Sequence, residues 1–208
     1  MYCNSGLSKS PAGKEGVHAG KKLITRVLER IYPLHDEVVA VKFVERGYYQ
    51  KVARELEEGS RILEVGCGTG RFIQTVTEKC YGIGLDISDK LLRIAKERLE
   101  EHPFDCVLGT ATALPFRSNS FKAVVTFTMM HHLTDQEKVT ALKEIARVSP
   151  TYLFGEVGKN ACWSAVLLKI IGSKKLIRKE IIERAGLKVR EWHDMGGFCL
   201  IFGRAERT

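Results

Sequence analysis

Three glycines at alternate positions, Gly66, Gly68 and Gly70, follow the apolar run Ile62–Val65; Glu64 lies inside that run and Cys67 between the first two glycines. Glycine lets a backbone approach a ligand that side chains would hold off. A helix opening just after such a turn offers amide N–H groups to a negative group. The spacing is G-x-G-x-G, and Arg71 comes next. A dinucleotide fingerprint places its third glycine one residue later, and a P-loop needs Lys-[Ser/Thr], so the pattern argues against both. A glycine turn with no ligand is the plainer alternative. Asp86 stands 20 residues after Gly66 and closes a second apolar run, Gly82-Ile-Gly-Leu-Asp86. A carboxylate at that place can accept from both hydroxyls of a ribose. Its plainer role, capping the next helix, is one that Ser88 can fill. A fourth apolar run leads into Thr126-Phe-Thr-Met-Met-His-His-Leu133. His131 or His132 can take a proton near neutral pH, and His131 is the candidate catalytic base; packing beside the loop is an equal alternative for each. Met129 and Met130 form a soft apolar wall, as apt for core packing as for substrate.

The elements that must position these residues alternate. Arg61–Val65, Tyr81–Leu85, Phe104–Leu108, Phe121–Thr128 and Tyr152–Val157 read as strands. The stretches 71–79, 88–101 and 134–148 read as helices, the last opened by the capping-box pattern Thr134-Asp-Gln-Glu137. Such alternation with short loops predicts a parallel, doubly wound sheet, with ligands at the carboxyl ends of its strands. Residues 20–31 and 36–57 also read as helical. So do 161–171 and 174–185, which break the alternation. Leu187–Trp192 and Phe198–Phe202, joined by Asp194-Met-Gly-Gly197, predict an antiparallel hairpin. The expected organisation is a flexible tail over 1–19 and a single domain over 20–208. That domain has a core at 60–157, a helical decoration at 158–185 and final strands at 187–204.

Composition fits a globular domain: 44% hydrophobic and 28% charged over 208 residues. No apolar run approaches the length of a membrane span. Six cysteines without a C-x-x-C pair suit reduced thiols, and no metal site is expected. Of the net charge of +8, +5 falls in residues 151–208. That excess is either a solvated basic face or the footprint of an anionic partner.

With four segments in the right order, the chain resembles the class I methyltransferase superfamily, and within it the small type 11 group. That group includes ubiquinone/menaquinone-type C-methyltransferases and phospholipid N-methyltransferases. The matching residues are Leu63-Glu-Val-Gly-Cys-Gly-Thr-Gly70, Gly84-Leu-Asp-Ile-Ser88, Ala113-Leu-Pro-Phe116 and Phe121-Lys-Ala-Val-Val125 with His131-His132-Leu133. The resemblance implies a Rossmann-like seven-stranded sheet of order 3-2-1-4-5-7-6 with strand 7 antiparallel, N-terminal helices and a helical insertion before strand 6. It also implies S-adenosylmethionine as cofactor. Glu64, Gly66, Cys67, Gly68 and Gly70 would face its methionine part and Asp86 its ribose, with Ile87 beside it. Thr110 and Ala111 would meet the adenine, and Thr126 and Phe127 the methyl donor. Many relatives carry Asp where Thr110 stands, so the adenine contact here loses a charge.

The expected function is methyl transfer to a small-molecule or lipid-like acceptor. Methylation of a macromolecule, protein or RNA, is one alternative, and a cofactor-binding partner subunit with little activity of its own is another. The absence of an interleaved aromatic and basic pattern speaks against nucleic acid. An apolar stretch with Trp163 followed by the basic cluster to Lys179 makes 161–179 a candidate contact with an anionic membrane surface, a lid over the sheet being the alternative. The expected location is cytoplasmic, with peripheral membrane contact as the second expectation. Neither the atom methylated nor the oligomeric state is readable.

Overall fold

The computed structural model describes residue 47 and residues 49–157, 177–194 and 200–207. The expected tail over 1–19, the helix over 20–31, most of the decoration at 158–185 and the link at 195–197 lie outside the described residues. Seven strands form one sheet: β1 (Arg61–Val65), β2 (Tyr81–Asp86), β3 (Phe104–Leu108), β4 (Ala123–Phe127), β5 (Thr151–Val157), β6 (Leu187–Asp194) and β7 (Leu200–Arg207). Their order is β3-β2-β1-β4-β5-β7-β6. The first five pair in parallel, and β7 runs antiparallel to both β5 and β6. This is the fold that the resemblance implied.

Alternation along the central strands sends successive side chains to opposite layers. Leu63, Val65, Val124, Tyr152 and Phe154 pack against Val139, Leu142 and Ile145 of helix α4 (Asp135–Val148) and Ile181 and Ile182 of the short helix α5 (Lys179–Glu183). Ile62, Ala123, Val125, Phe127 and Leu153 pack the other way. There they meet Val52 of α1 (49–55), Phe72, Ile73 and Val76 of α2 (Arg71–Val76), and Leu99, which closes α3 (Asp89–Arg98). Every residue of β4 is buried, as a strand covered on both faces requires. Caps set the helix starts. Ser88 Oγ accepts from Leu91 N–H at 3.3 Å. The predicted capping box forms, with Thr134 Oγ1 accepting from Glu137 N–H and Glu137 Oε2 accepting from Thr134 N–H.

Some boundaries differ from the sequence reading. α2 ends at Val76 rather than near 79, because the chain turns there to bring Cys80 back onto the Val76 carbonyl and into β2. β7 continues to Arg207 and pairs along the full length of β5. Its second half, Gly203-Arg-Ala-Glu-Arg207, is too polar to read as strand from composition. At Gly203 a Cβ would meet the Phe154 ring and come within 2.7 Å of the Glu191 carbonyl, so the absent side chain lets three strands close. Arg190 and Arg204 then pair with Glu206, each at 2.9 Å.

Candidate active site

The carboxyl ends of β1, β2 and β4 open onto one cleft. Gly66 and Cys67 N–H both reach the Leu85 carbonyl, at 2.7 and 3.1 Å, so the glycine turn is tied across to β2. Gly66 (φ 78°) and Gly68 (φ 53°) occupy the left-handed region, where side chains are strained. A Cβ on Gly66 would also strike the Met129 side chain across the cleft. Asp86 fixes the turn from the other side. Its Oδ2 accepts from Gly68 N–H and its Oδ1 from Ser88 N–H, each at 2.9 Å. The residue is 8% exposed and lines the cleft.

The rest of the wall comes from three places. Ile87, Leu91, Gly109, Thr110, Ala111 and Thr112 enclose one end, and Phe127, Thr128, Met129, His132 and Leu133 the other. The loop carrying Thr110 is clamped from α4: Glu144 Oε2 accepts from Leu114 N–H at 2.8 Å, while Arg147 donates to the carbonyls of Leu114 (3.0 Å) and Phe116 (2.7 Å). The Arg147 guanidinium in turn holds the Glu144 carboxyl below its ordinary range. At the other end Thr128 adopts φ 45° directly after β4 and turns the chain sharply, and Phe127 is braced by the rings of Tyr49 and Phe72.

Of the residues singled out in the sequence, Gly66, Gly68, Asp86, Ile87, Thr110, Ala111 and Phe127 line this cleft. So do Ser88, Met129 and His132; Glu64, Cys67, Gly70, Thr126, Met130 and His131 sit behind it. Thr126 points into the core, with its hydroxyl 2.8 Å from Tyr152 Oη. Gly70 backs onto Ala95 and Leu99, and the Cys67 thiol lies under Gly84. Burial raises the Cys67 pKa well above its usual value, with the nearby Glu64 and Asp86 carboxylates adding to the effect. Glu64 is itself buried. His131 is 5% exposed and lies behind the wall, while its neighbour His132 faces the cleft. Burial, with His131 beside it as the lesser cause, drops the His132 pKa to about 3.

Sequence reasoning passed over Thr128, Leu91 and Glu156. Glu156, at the end of β5 and 1% exposed, accepts through Oε1 from the N–H groups of Met129 (3.1 Å) and Met130 (3.0 Å). A carboxylate closing the apolar run Tyr152-Leu-Phe-Gly was the signal available, since charge at a strand's carboxyl end in this architecture marks the ligand side.

Residues 62–150, which build this cleft, match the family model described as a methyltransferase domain. Over residues 62–150 the chain carries a methyltransferase domain. The chain is 32% identical over 132 residues to the tRNA (carboxymethyluridine(34)-5-O)-methyltransferase of Arabidopsis thaliana, covering 62% of this chain and 30% of that relative. It is 34% identical over 96 residues to the Mus musculus enzyme of the same name, ALKBH8, covering 46% of this chain and 14% of the relative. The chain thus spans under a third of the length of these curated relatives. In fold it is similar to a chain of the complex between the Haloferax volcanii Trm112 methyltransferase activator and a methyltransferase. The TM-score there is 0.66 at 20% identity, covering 79% of this chain and 91% of that one.

These relatives correct the expectations about partners. The sequence reading makes nucleic acid an unfavoured partner and a small-molecule or lipid-like acceptor the main one; both of these curated relatives are named for tRNA. The physical reason is that an enzyme acting on one nucleotide takes it into a pocket and needs no aromatic platform on its surface. The candidate membrane contact over 161–179 falls largely outside the described residues. At its described end Arg178 pairs with Asp135 at 3.2 Å, and the Lys179 ammonium lies 5.5 Å from the centre of the Trp192 ring. Among the described residues no helix is long and apolar enough to cross a membrane.

Proposed function

We propose that the protein transfers a methyl group from S-adenosylmethionine to a nucleoside of tRNA. The carrying observation is the cleft itself. A carboxylate anchored by two backbone amides beside a left-handed glycine turn, in a domain about one-third identical to tRNA methyltransferases, has the donor set for a nucleoside cofactor. Asp86 would take the ribose hydroxyls, the Gly66–Gly68 backbone the methionine part, and Ile87, Leu91, Thr110 and Ala111 the adenine. When bound, the cofactor supplies an electrophilic methyl on a sulfonium. Phe127, Thr128, Met129, His132 and Leu133 then form the acceptor side, excluding water and holding the nucleophile in line with the methyl.

The curated relatives' names point to the oxygen of a carboxymethyl group on uridine as the acceptor. Such an acceptor suits this wall. A carboxylate has no proton to lose, and His132, with its pKa near 3, is too weak a base to remove one.

The test is incubation of the purified protein with methyl-labelled S-adenosylmethionine and bulk tRNA. Label that precipitates with RNA and is released by ribonuclease is the expected result. Label appearing only in protein or in organic extracts overturns the RNA reading. Calorimetry showing no binding of S-adenosylmethionine overturns the cofactor reading.

A further inference from the structure

The loop between β4 and α4 is pinned by two buried charges that touch neither side of the cleft. Glu156 Oε1 receives the N–H groups of Met129 and Met130, at the start of the single 3-10 turn Met130–His132. The Lys138 ammonium, on a fully buried side chain, donates to the Leu133 carbonyl at 2.8 Å, at the end of that turn. Negative charge at a turn's amino end and positive charge at its carboxyl end both favour the turn. The second oxygen of Glu156 does something else. Oε2 faces His131 Nδ1 at 3.6 Å, and among the described residues neither atom has another hydrogen-bond partner. Two buried polar atoms left unpaired face to face are costly, and their cheapest relief is a proton on Nδ1 pointing at the carboxylate. Contacts of this kind are often long without ligand and tighten in the complex. The His131 ring lies 3.9 Å from the His132 ring, centre to centre, and His132 faces the cleft.

We propose that Glu156 is the positioning residue of the acceptor side: it fixes the loop backbone with one oxygen and the His131 tautomer with the other, and through the contact between the two tilted rings sets where His132 meets the acceptor. This inference rests on the methyl-transfer reading for its rate consequence, but not for its tautomer consequence. His131 thus acts from behind His132 rather than on the substrate.

Glu156→Gln tests it, because the amide oxygen still accepts both backbone N–H groups while the amide NH2 replaces Oε2 and repels an Nδ1–H. The expected result is a thermal midpoint and an S-adenosylmethionine affinity close to wild type, the Michaelis constant for tRNA little changed, and kcat lowered by about 100-fold. Long-range proton–nitrogen NMR on histidine-labelled protein should show His131 Nδ1 protonated in the wild type and unprotonated in the variant. Wild-type kcat in the variant overturns the proposal, as does an unprotonated Nδ1 in the wild type. If the wild type transfers no methyl, the NMR readout still decides the tautomer, so the two readings fail separately. If Glu156→Gln does not fold, His131→Asn, which keeps an N–H near the Nδ1 position, should be about tenfold more active than His131→Leu. Equal rates in that pair overturn the proposal.

Discussion

Both carboxylate oxygens of Asp86 are engaged by backbone amides before any ligand arrives, and that gives the residue two jobs. It offers its remaining lone pairs to the cleft, and it keeps the Gly68 and Ser88 amides from being left unpaired. If Asp86 holds the ribose as proposed, Asp86→Ala removes two charge-assisted bonds, about 3 kcal/mol together, and should lower S-adenosylmethionine affinity by about 100-fold. Calorimetry on the folded variant checks this, and wild-type affinity there would sink the ribose assignment. His132 gives a pH prediction. Its pKa falls from 6.5 to about 3 on burial. Above about pH 6.5 it is neutral folded or unfolded, so its contribution is fully present. As pH falls towards 3 the unfolded chain takes up a proton that the folded one refuses, and stability drops by up to about 1.4 kcal/mol per pH unit. Urea midpoints at pH 7 and pH 5 should differ less in His132→Gln than in wild type; an identical difference would refute the buried neutral histidine. At this scale the sequence was legible where chemistry is local. A glycine turn followed by an acid at a strand end has few other meanings. Which of two adjacent histidines faces the cleft is set by the turn after β4, where Thr128 takes a positive φ, and by the 3-10 turn Met130–His132, and no local residue pattern announces either.

Elements were legible where caps and periodicity mark them. The Thr134–Glu137 box and the buried run of β4 are written in residue types, and both formed as read. The charged half of β7 is not legible as strand because its charges are satisfied by a cross-strand pair, Arg190 with Glu206, and by Arg204 pairing with Glu206 along the same strand, which composition cannot show. The clamp between α4 and the loop beyond Thr110 was likewise invisible, since Glu144 and Arg147 lie about 30 residues from the groups they hold. That clamp carries a prediction. Arg147→Met frees the Leu114 and Phe116 carbonyls and loosens the wall that includes Thr110, Ala111 and Thr112. The Arg147 side chain is 34% exposed and that of Glu144 23%, so solvent offsets part of the loss. S-adenosylmethionine affinity should fall several-fold, by less than about tenfold, with the melting temperature lowered by a few degrees. An unchanged affinity together with a lowered melting temperature would make the clamp structural only.

The order of the sheet and the position of the cleft follow from topology, so a motif-level resemblance was enough to place them. The acceptor did not follow, because one cofactor platform of this fold serves many acceptors. Size and the lack of an aromatic platform favoured a small molecule, yet a pocket for a single nucleotide needs neither. Whole-molecule charge leaves two readings: a net +8, with +5 of it in the last 58 residues, is either a solvated face or the footprint of an anionic partner such as the proposed RNA. It also sets a test that does not depend on catalysis. Phosphate contacts release bound counterions, so RNA affinity falls with salt at a slope of about 0.7 to 0.9 per contact on logarithmic axes. With about five or six such contacts, tRNA affinity should drop on the order of 100- to 1,000-fold between about 50 and 200 mM salt. S-adenosylmethionine, held in a cleft by a few short-range hydrogen bonds, should change by less than about threefold over the same range. Fluorescence titrations of labelled tRNA across that series, with calorimetry of the cofactor beside them, separate the two. A steep slope for RNA alone means that the basic excess engages the backbone of a nucleic acid. A flat slope for both means that the excess is only a solvated face, and the RNA acceptor reading would then lose its physical basis.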